Sequence, residues 1–177
     1  MTTHQAQSAQ TLPSGTWKLD PARTTITVTA KKLGLITVPG TLTMSAGTIE
    51  IDGDHQVVSV EVIADAASYT TGNTKRDEHV RSADFLDVDR HPSVAFRTGD
   101  VRPTLSGYRA NGAVTVKGET FPLSVDISSV EFDARSSSFV ATAIVDRNAI
   151  GVDKFPSFVI GRDLELTVTA TASITEA

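Results

Sequence analysis

Apolar and polar residues alternate along most of this chain, which is the pattern of β-strands with one buried face. In residues 25–30 the alternation puts Ile26, Val28 and Ala30 on one face and threonines on the other. Similar segments follow at residues 33–44, 48–51, 57–64, 93–98, 108–116, 121–127, 139–145 and 164–172. Most connections between them are short, and Asp52-Gly53 is a strong hairpin signal. The sequence therefore predicts one all-β domain of eight or more antiparallel strands.

Some details of these strands are also predicted. Pro39-Gly40 suggests that residues 33–44 form two strand pieces joined at a bend, followed by a separate short strand at residues 48–51. In residues 57–64 one face would carry Val58, Val60, Val62 and Ala64.

The alternation is interrupted between residues 70 and 96 by a charged segment with helical spacing. Thr74 followed three residues later by Asp77 resembles an imperfect capping box, which predicts that a short helix begins at Thr74. The helix has to end before Pro92. One face of this helix would carry Val80, Ala83 and Leu86.

The alternating pattern fits either a barrel or a sandwich, and two features favour the barrel. Several strands carry small or β-branched residues on the apolar face, such as Val60, Ala110 and Gly112, which fill a closed sheet less completely than Leu or Phe would. An underfilled eight-stranded barrel holds a ligand cavity. The single helix can also cover one end of a barrel as a lid, with Phe85 and Leu86 facing the interior. We therefore expect an antiparallel eight-stranded β-barrel with one short helix as a lid.

Length and charge limit the function classes. A chain of 177 residues with 40% hydrophobic content suits one domain, and a net charge of -5 argues against nucleic acid or an anionic membrane surface as the main partner. No apolar segment approaches the roughly 20 residues that a membrane-spanning helix needs. Residues 1–13 lack the features of a secretory signal, so we expect a disordered tail there, a barrel domain at residues 14–177 and a cytoplasmic location.

Candidate catalytic residues are few. Asp77 and His79 lie two positions apart, so on a helix they point away from each other, which favours local charge pairs over a metal or acid-base site. The chain has no cysteine, no serine in a nucleophile-elbow context and no glycine-rich loop before a helix. The sequence predicts no catalytic residue, no metal site and no cofactor.

Two apolar segments are candidates for contact with a ligand or a subunit. Residues 153–161 hold Phe155 and Phe158 around a proline, which is too apolar for a freely solvated loop and suggests packing on a barrel mouth, a ligand or a partner. Residues 139–145 are apolar on both strand faces, consistent with an outer cover or another subunit.

Short motifs spread over residues 17–172 resemble the YceI-like family of bacterial polyisoprenoid-binding proteins. They include Trp17 to Pro21, Lys32-Leu33-Gly34, Thr71-Gly72-Asn73, residues 84–88, His91-Pro92, residues 114–118, Arg147 and Ile160-Gly161. The resemblance implies an elongated, lipocalin-like antiparallel barrel, often a dimer, whose hydrophobic channel holds a long isoprenoid chain. No catalytic residues are established for this fold as a whole.

We therefore expect the chain to bind, store or carry a long apolar isoprenoid-type lipid, such as a polyprenyl chain or an isoprenoid quinone, without nucleic acid binding or stable membrane insertion. A homodimer is one expected assembly. The alternatives are an enzyme that acts on an apolar substrate in the same cavity, and a partner-binding structural protein with a filled barrel. The expected ligand-binding residues are Ile26, Val28, Val60, Val62, Phe85, Phe96, Tyr108, Val114, Phe121, Leu123, Phe139, Phe155, Phe158, Leu166 and Val168.

Overall fold

The computed structural model describes residues 12–132, 135–150 and 161–174. Its strands are β1 (Gly15–Leu19), β2 (Thr25–Lys32), β3 (Ile36–Ile51), β4 (Val57–Thr70), β5 (Ser93–Thr98), β6 (Val101–Thr104), β7 (Gly107–Val116), β8 (Glu119–Phe132), β9 (Ser136–Asp146) and β10 (Asp163–Ile174). A 3-10 turn (Pro21–Arg23) separates β1 from β2, and helix α1 (Thr74–Arg81) follows β4.

Eight of these strands form a closed antiparallel barrel in the order β2, β3, β4, β5, β7, β8, β9 and β10. The barrel closes because β10 pairs with β9 on one side and with β2 on the other. Strand β1 pairs with both β10 and β3 at one end, and β6 pairs with β7 beyond the edge of β5. The predicted all-β barrel with one short helix is confirmed.

The strand register decides which side chains face inward. Val62 lies opposite Phe96, Phe96 opposite Val114, and Val114 opposite Phe121, so these four side chains share the inner face. Buried residues form two clusters within the barrel. The first core cluster is Trp17, Leu19, Ile26, Met44, Ile51, Ala64, Ala170 and Ala172, and the second core cluster is Ala110, Leu123, Val125, Ala141 and Ala143.

The two ends of the barrel differ. One end, called the helix end, carries α1. The antiparallel pairings place the turn between β2 and β3 and the turn between β7 and β8 at this same end. The opposite end carries β1, the turn between β3 and β4, and the turn between β6 and β7.

Two strand predictions are wrong. Residues 36–51 form one strand, β3, and its pairing with β4 shifts between Thr41 and Thr43, between Met44 and Ala46, and between Glu50 and Ile51. The chain absorbs its bend through these irregularities without breaking the strand. The last shift also changes which side chains of β4 face inward. Val57 pairs with Ile51 and lines the interior, whereas Val58 is 43% exposed.

The helix begins at Thr74 as predicted, but it is shorter than predicted and its N-cap is a different residue. Asn73, and not Thr74, is the N-cap, since its side chain accepts a hydrogen bond from the backbone N–H of Arg76 at 3.1 Å. The helix ends at Arg81, and the amide of Ser82 donates to the carbonyl of His79. Val80, Ala83 and Leu86 therefore do not share a helical face.

The expected disordered tail lies outside the described residues up to residue 11. Leu12 and Pro13, which the sequence assigns to that tail, pack at the barrel end. Leu12 contacts the first core cluster, and the indole of Trp17 donates to the carbonyl of Pro13 at 2.9 Å. Within the described ranges, no helix is long and apolar enough to cross a membrane.

Candidate binding cavity

An apolar cavity of about 50 Å³ lies inside the barrel near the end opposite α1. It lies where side chains around the first core cluster, such as Ile49, meet side chains around the second, such as Val101 and Ile127. Its lining is apolar except for Ser137 and Tyr108. The lining residues are Leu12, Trp17, Ile49, Ile51, Val57, Val60, Val101, Tyr108, Ile127, Ser137, Phe139 and Ala172.

This cavity is too small for the expected ligand. A volume of about 50 Å³ has room for a few water molecules but not for a long isoprenoid chain. Large inward side chains occupy the space over the interior glycines, which the pattern of small residues suggested to be empty. A Cβ at Gly112 would lie 2.5 Å from the backbone carbonyl oxygen of Arg97 and 2.8 Å from Cζ of Phe96, and a Cβ at Gly47 would lie 2.9 Å from Cβ of Leu19. The space over these two glycines is therefore occupied in this structure.

Most of the predicted ligand-binding residues face the interior. Val60, Tyr108 and Phe139 line the cavity, and Val28 and Phe121 face inward by their pairing with Gly40 and Val114. Others belong to or pack against the two core clusters, namely Ile26, Val62, Phe96, Val114, Leu123, Leu166 and Val168.

Three predicted residues do not belong to this interior set. Phe85 is buried, but it lies outside both core clusters and its ring meets the His79 ring edge-on, with centroids 4.9 Å apart. Phe155 and Phe158 lie outside the described residues.

The sequence-based set missed several cavity-lining residues. Ile49 and Ile51 alternate within one strand, so the same rule that selected Val60 would have selected them. Leu12 had no such signal because it stands in a polar segment. Trp17 and Val57 were also missed, since their inward orientation depends on the register with β3.

One part of the barrel wall is less completely paired. Towards the helix end, the ladder between β8 and β9 has its last pair at Asp126 and Thr142. On either side, the β7–β8 and β9–β10 ladders continue to the strand ends. An open surface depression of about 500 Å³ lies here, and the residues that line it include inward-facing Leu123, Ala143 and Leu166. The wall between β8 and β9 therefore lacks ladder pairing towards the helix end.

Asp77 is the buried carboxylate of the helical segment, only 3% exposed. Its Oδ1 accepts hydrogen bonds from the amide and the hydroxyl of Thr71 at 2.8 and 2.7 Å, and its Oδ2 accepts one from the hydroxyl of Thr70 at 2.8 Å. Burial alone would raise the pKa of Asp77, but these bonds and the charge of Arg81 outweigh it and lower the pKa. The carboxylate thus fastens α1 to the end of β4.

Tyr69, next to this network, lies on the barrel's interior side over Gly40. Burial and the negative charge of Asp77 raise the pKa of the Tyr69 phenol, while the positive charge of Arg76 opposes them. The phenol is thus held neutral at physiological pH.

A second buried charge lies where β9 ends. Arg147 is 2% exposed, and its Nε donates to the carbonyl of Gly161 at 2.9 Å. Arg162 pairs with Asp146 at 2.6 Å, and this hydrogen bond lowers the pKa of the Asp146 carboxyl. The sequence identifies Arg147 only as part of a motif, since spacing does not show that a charged side chain at a strand end is buried.

Polar groups near the cavity are few. The buried hydroxyl of Thr98 donates to the carbonyl of Asn111 at 2.8 Å and accepts from the amide of Asp100, so it supports a turn. Within the described ranges, no three His, Cys, Asp or Glu residues are grouped so that they could hold a metal ion. The interior can accommodate apolar groups by exclusion of water and offers few directional contacts.

The family model for the YceI-like domain matches residues 17–172, nearly the whole described barrel. The chain belongs to the YceI-like family. Among curated relatives, a UPF0312 protein of Pectobacterium atrosepticum is 32% identical over 97 residues, 54% of this chain and 50% of that protein. Protein YceI of Escherichia coli is 30% identical over 95 residues, 53% of this chain and 50% of that protein. These alignments span about half the length of the curated relatives.

Solved structures share the fold of this YceI-like chain. BcnA of Burkholderia cenocepacia has a TM-score of 0.72 at 18% identity, covering 86% of this chain and 98% of that one. A polyisoprenoid binding domain from Saccharophagus degradans has a TM-score of 0.65 at 8% identity, covering 90% and 98%. At these identities the likeness shows the fold alone.

Proposed function

We propose that this chain binds a long apolar isoprenoid-type lipid, such as a polyprenyl chain or an isoprenoid quinone, inside the barrel and stores or carries it. The observation that carries the proposal is the continuous apolar interior. Leu166 and Val168 pack against both core clusters, so among the described residues apolar side chains extend from the cavity towards the helix end. The polyisoprenoid binding domain of the same fold supports this assignment.

A long chain requires the interior to open. The rings of Phe96 and Tyr69 lie over glycines, and a change of their rotamers would uncover interior space while leaving the backbone hydrogen bonds of the strands in place. The wall between β8 and β9, where the ladder ends at Asp126 and Thr142, offers a place where the barrel can widen. The ligand then packs against the apolar side chains that the displaced rings had covered.

The energetics favour recognition of the chain. Burial of a methylene contributes about 0.8 kcal/mol, so each five-carbon isoprene unit contributes roughly 3–4 kcal/mol before costs. Association and ordering cost several kcal/mol, which a few units outweigh. Since the described interior has few polar groups, the chain length should determine affinity more than the headgroup does.

A second candidate is a partner-binding structural protein with a filled barrel. The observation that favours it is the small cavity of about 50 Å³. The two candidates differ in what the isolated protein contains, because a lipid carrier retains an apolar ligand from its host and a filled barrel does not.

Native mass spectrometry of protein purified without detergent from its own host tests the proposal. The expected result is a bound mass that organic solvent releases and that fragments as an isoprenoid. Protein that is free of ligand, and stays so after incubation with long-chain isoprenoids, would contradict the proposal and favour the filled barrel. The same spectrum gives the oligomeric state and so tests the homodimer.

A further inference from the structure

The hairpin between β2 and β3 presents a cluster of exposed apolar side chains. Leu33, Leu35 and Ile36 are 56%, 91% and 53% exposed. The other exposed large apolar residues of the described part, Val58, Leu105 and Ile144, lie apart from one another on different strands and turns. A compact group of this kind is uncommon on a surface that faces only water.

The hairpin extends beyond its neighbours at the helix end of the barrel. Pairing of β2 with β10 ends at Thr29 and Glu165, and pairing of β3 with β4 ends at Thr41 and Thr70. The two strands of the hairpin continue to pair with each other as far as Lys32 and Ile36. Three further pairs of β2 with β3 lie beyond the Thr29–Glu165 pair. At about 3.3 Å per residue, they place the hairpin turn about 10 Å beyond the end of the β2–β10 ladder. The amide of Gly161 donates a hydrogen bond to the carbonyl of Lys31 in this hairpin.

The charge of the hairpin is opposite to that of the whole protein. Lys31 and Lys32 are exposed beside the apolar tip, and residues 21–49 contain no Asp or Glu in a chain of net charge -5. At the base of the hairpin, the carboxylate of Asp146 is paired with Arg162, and the exposed Glu165 lies opposite Thr29, three strand pairs before Lys32. A tip with apolar side chains at its apex and lysines behind them matches a bilayer of anionic lipids, with the apolar residues below the headgroups and the ammonium groups among them.

Leu33 lies in the turn of this hairpin, in a backbone conformation that leucine rarely adopts. Leu33 has a φ of 55° and Gly34 a φ of 71°, both in the left-handed region. Asn or Gly adopts this conformation at lower cost than leucine, so an exposed leucine here is unfavourable for the isolated fold in water. Contact with an apolar phase would offset that cost.

We propose that the tip formed by Lys31, Lys32, Leu33, Leu35 and Ile36 docks the barrel onto the surface of an anionic lipid bilayer. The net charge of -5 argues against an anionic membrane surface as the main partner of the whole chain, but it opposes contact through this tip only weakly, because screening limits the effect of distant charges to about a Debye length. The proposal goes beyond binding of a ligand in the interior and does not depend on it, because it concerns a surface element whose side chains point away from the core.

Co-sedimentation with vesicles tests the proposal. We expect the wild-type protein to bind vesicles of equal parts phosphatidylcholine and phosphatidylglycerol, and to bind pure phosphatidylcholine more weakly, with the difference reduced at high salt. Leu35→Ser should weaken binding by about tenfold or more, and the double substitution Lys31→Glu with Lys32→Glu should do the same. Leu33→Asn should also weaken binding, although it suits the turn and should leave thermal stability unchanged or higher.

Matched controls lie at the opposite end of the barrel. Leu105→Ser removes a fully exposed leucine from the β6–β7 turn, and Lys18→Glu reverses an exposed charge on β1. Both should bind vesicles as the wild type does. The proposal is overturned if wild-type protein does not bind anionic vesicles or if Leu105→Ser and Leu35→Ser lose binding equally. It is also overturned if Leu35→Ser dissociates a dimer while vesicle binding stays unchanged, since the tip would then be a subunit contact.

Discussion

The ring of Tyr69 lies directly over Gly40 inside the helix end of the barrel, where a Cβ on Gly40 would come within 2.6 Å of both Cε2 and the hydroxyl oxygen of the ring. Real Cβ atoms do not approach other atoms so closely, so a side chain at position 40 has to displace the ring. The position of the Tyr69 ring near the end of β4 therefore requires a glycine at position 40 of β3.

Gly40→Ala should destabilise the fold by about 1–3 kcal/mol, the usual cost of overpacking. In a Tyr69→Ala background the same substitution should cost much less, because the ring is gone. Chemical denaturation of the four proteins measures this coupling. Gly53→Ala is the control, since a Cβ there has nothing within 4 Å. Equal costs in both backgrounds would contradict the account of this contact.

Asp77→Ala should lower the free energy of unfolding by about 1–3 kcal/mol, because the hydroxyls of Thr70 and Thr71 and the amide of Thr71 lose their shared acceptor. The matched control is Glu78→Ala, which removes the exposed neighbouring carboxylate of the same helix. This control should change stability by no more than about 0.5 kcal/mol. An equal loss in the two variants would show that Asp77 contributes only its charge.

The lowered pKa of Asp77 also predicts acid sensitivity. A carboxyl whose pKa is lower in the folded state stabilises the fold above its unfolded pKa of about 3.9, and that stabilisation is lost as the pH falls through the folded pKa. Between about pH 5 and pH 2, Asp77→Asn should therefore lose less stability than the wild type. Denaturant unfolding across this range measures the difference, and parallel curves would contradict the assignment.

Filling the cavity should block the ligand. Ala172 is 1% exposed and lines the cavity, so Ala172→Leu places a larger side chain where we expect the chain to bind. Binding of a long-chain isoprenoid should weaken by about tenfold or more, in line with two or more displaced methylenes. The control is Ser173→Leu, which introduces the same side chain at the adjacent, exposed position. This variant should bind the isoprenoid as tightly as the wild type does. Unchanged binding in Ala172→Leu would place the ligand elsewhere.

Alternation along single strands was enough to predict the antiparallel strands and most of their inward-facing residues, although not the choice of a barrel over a sandwich. Ile26, Val62 and Leu166 follow from a period of two within their own strands, and hairpin turns such as Asp52-Gly53 set the antiparallel order. This information is local, so it does not depend on knowing which strands are neighbours.

The features that the sequence could not predict depend on contacts between residues that are distant in the chain. Val58 and Val57 exchange faces because of a register shift against β3, which is visible only in the paired strands. The filling of the space over Gly40, Gly47 and Gly112 depends on side chains that reach over from other positions of the sheet. The sequence shows that small residues face the interior. Only the packed structure shows that larger side chains from other strands occupy the space over these glycines.

The central claim, that the barrel interior binds a long isoprenoid chain, is tested most directly through Trp17. This is the one tryptophan of the chain, it is 1% exposed, and it lines the cavity, so its fluorescence reports on the interior. Titration should use isoprenoid alcohols of increasing chain length with the same hydroxyl headgroup. The account predicts a saturable change in Trp17 emission and an affinity that rises with each added isoprene unit over the first few units. An affinity that does not change with chain length, or a short analogue that binds as tightly as the long chains, would contradict it.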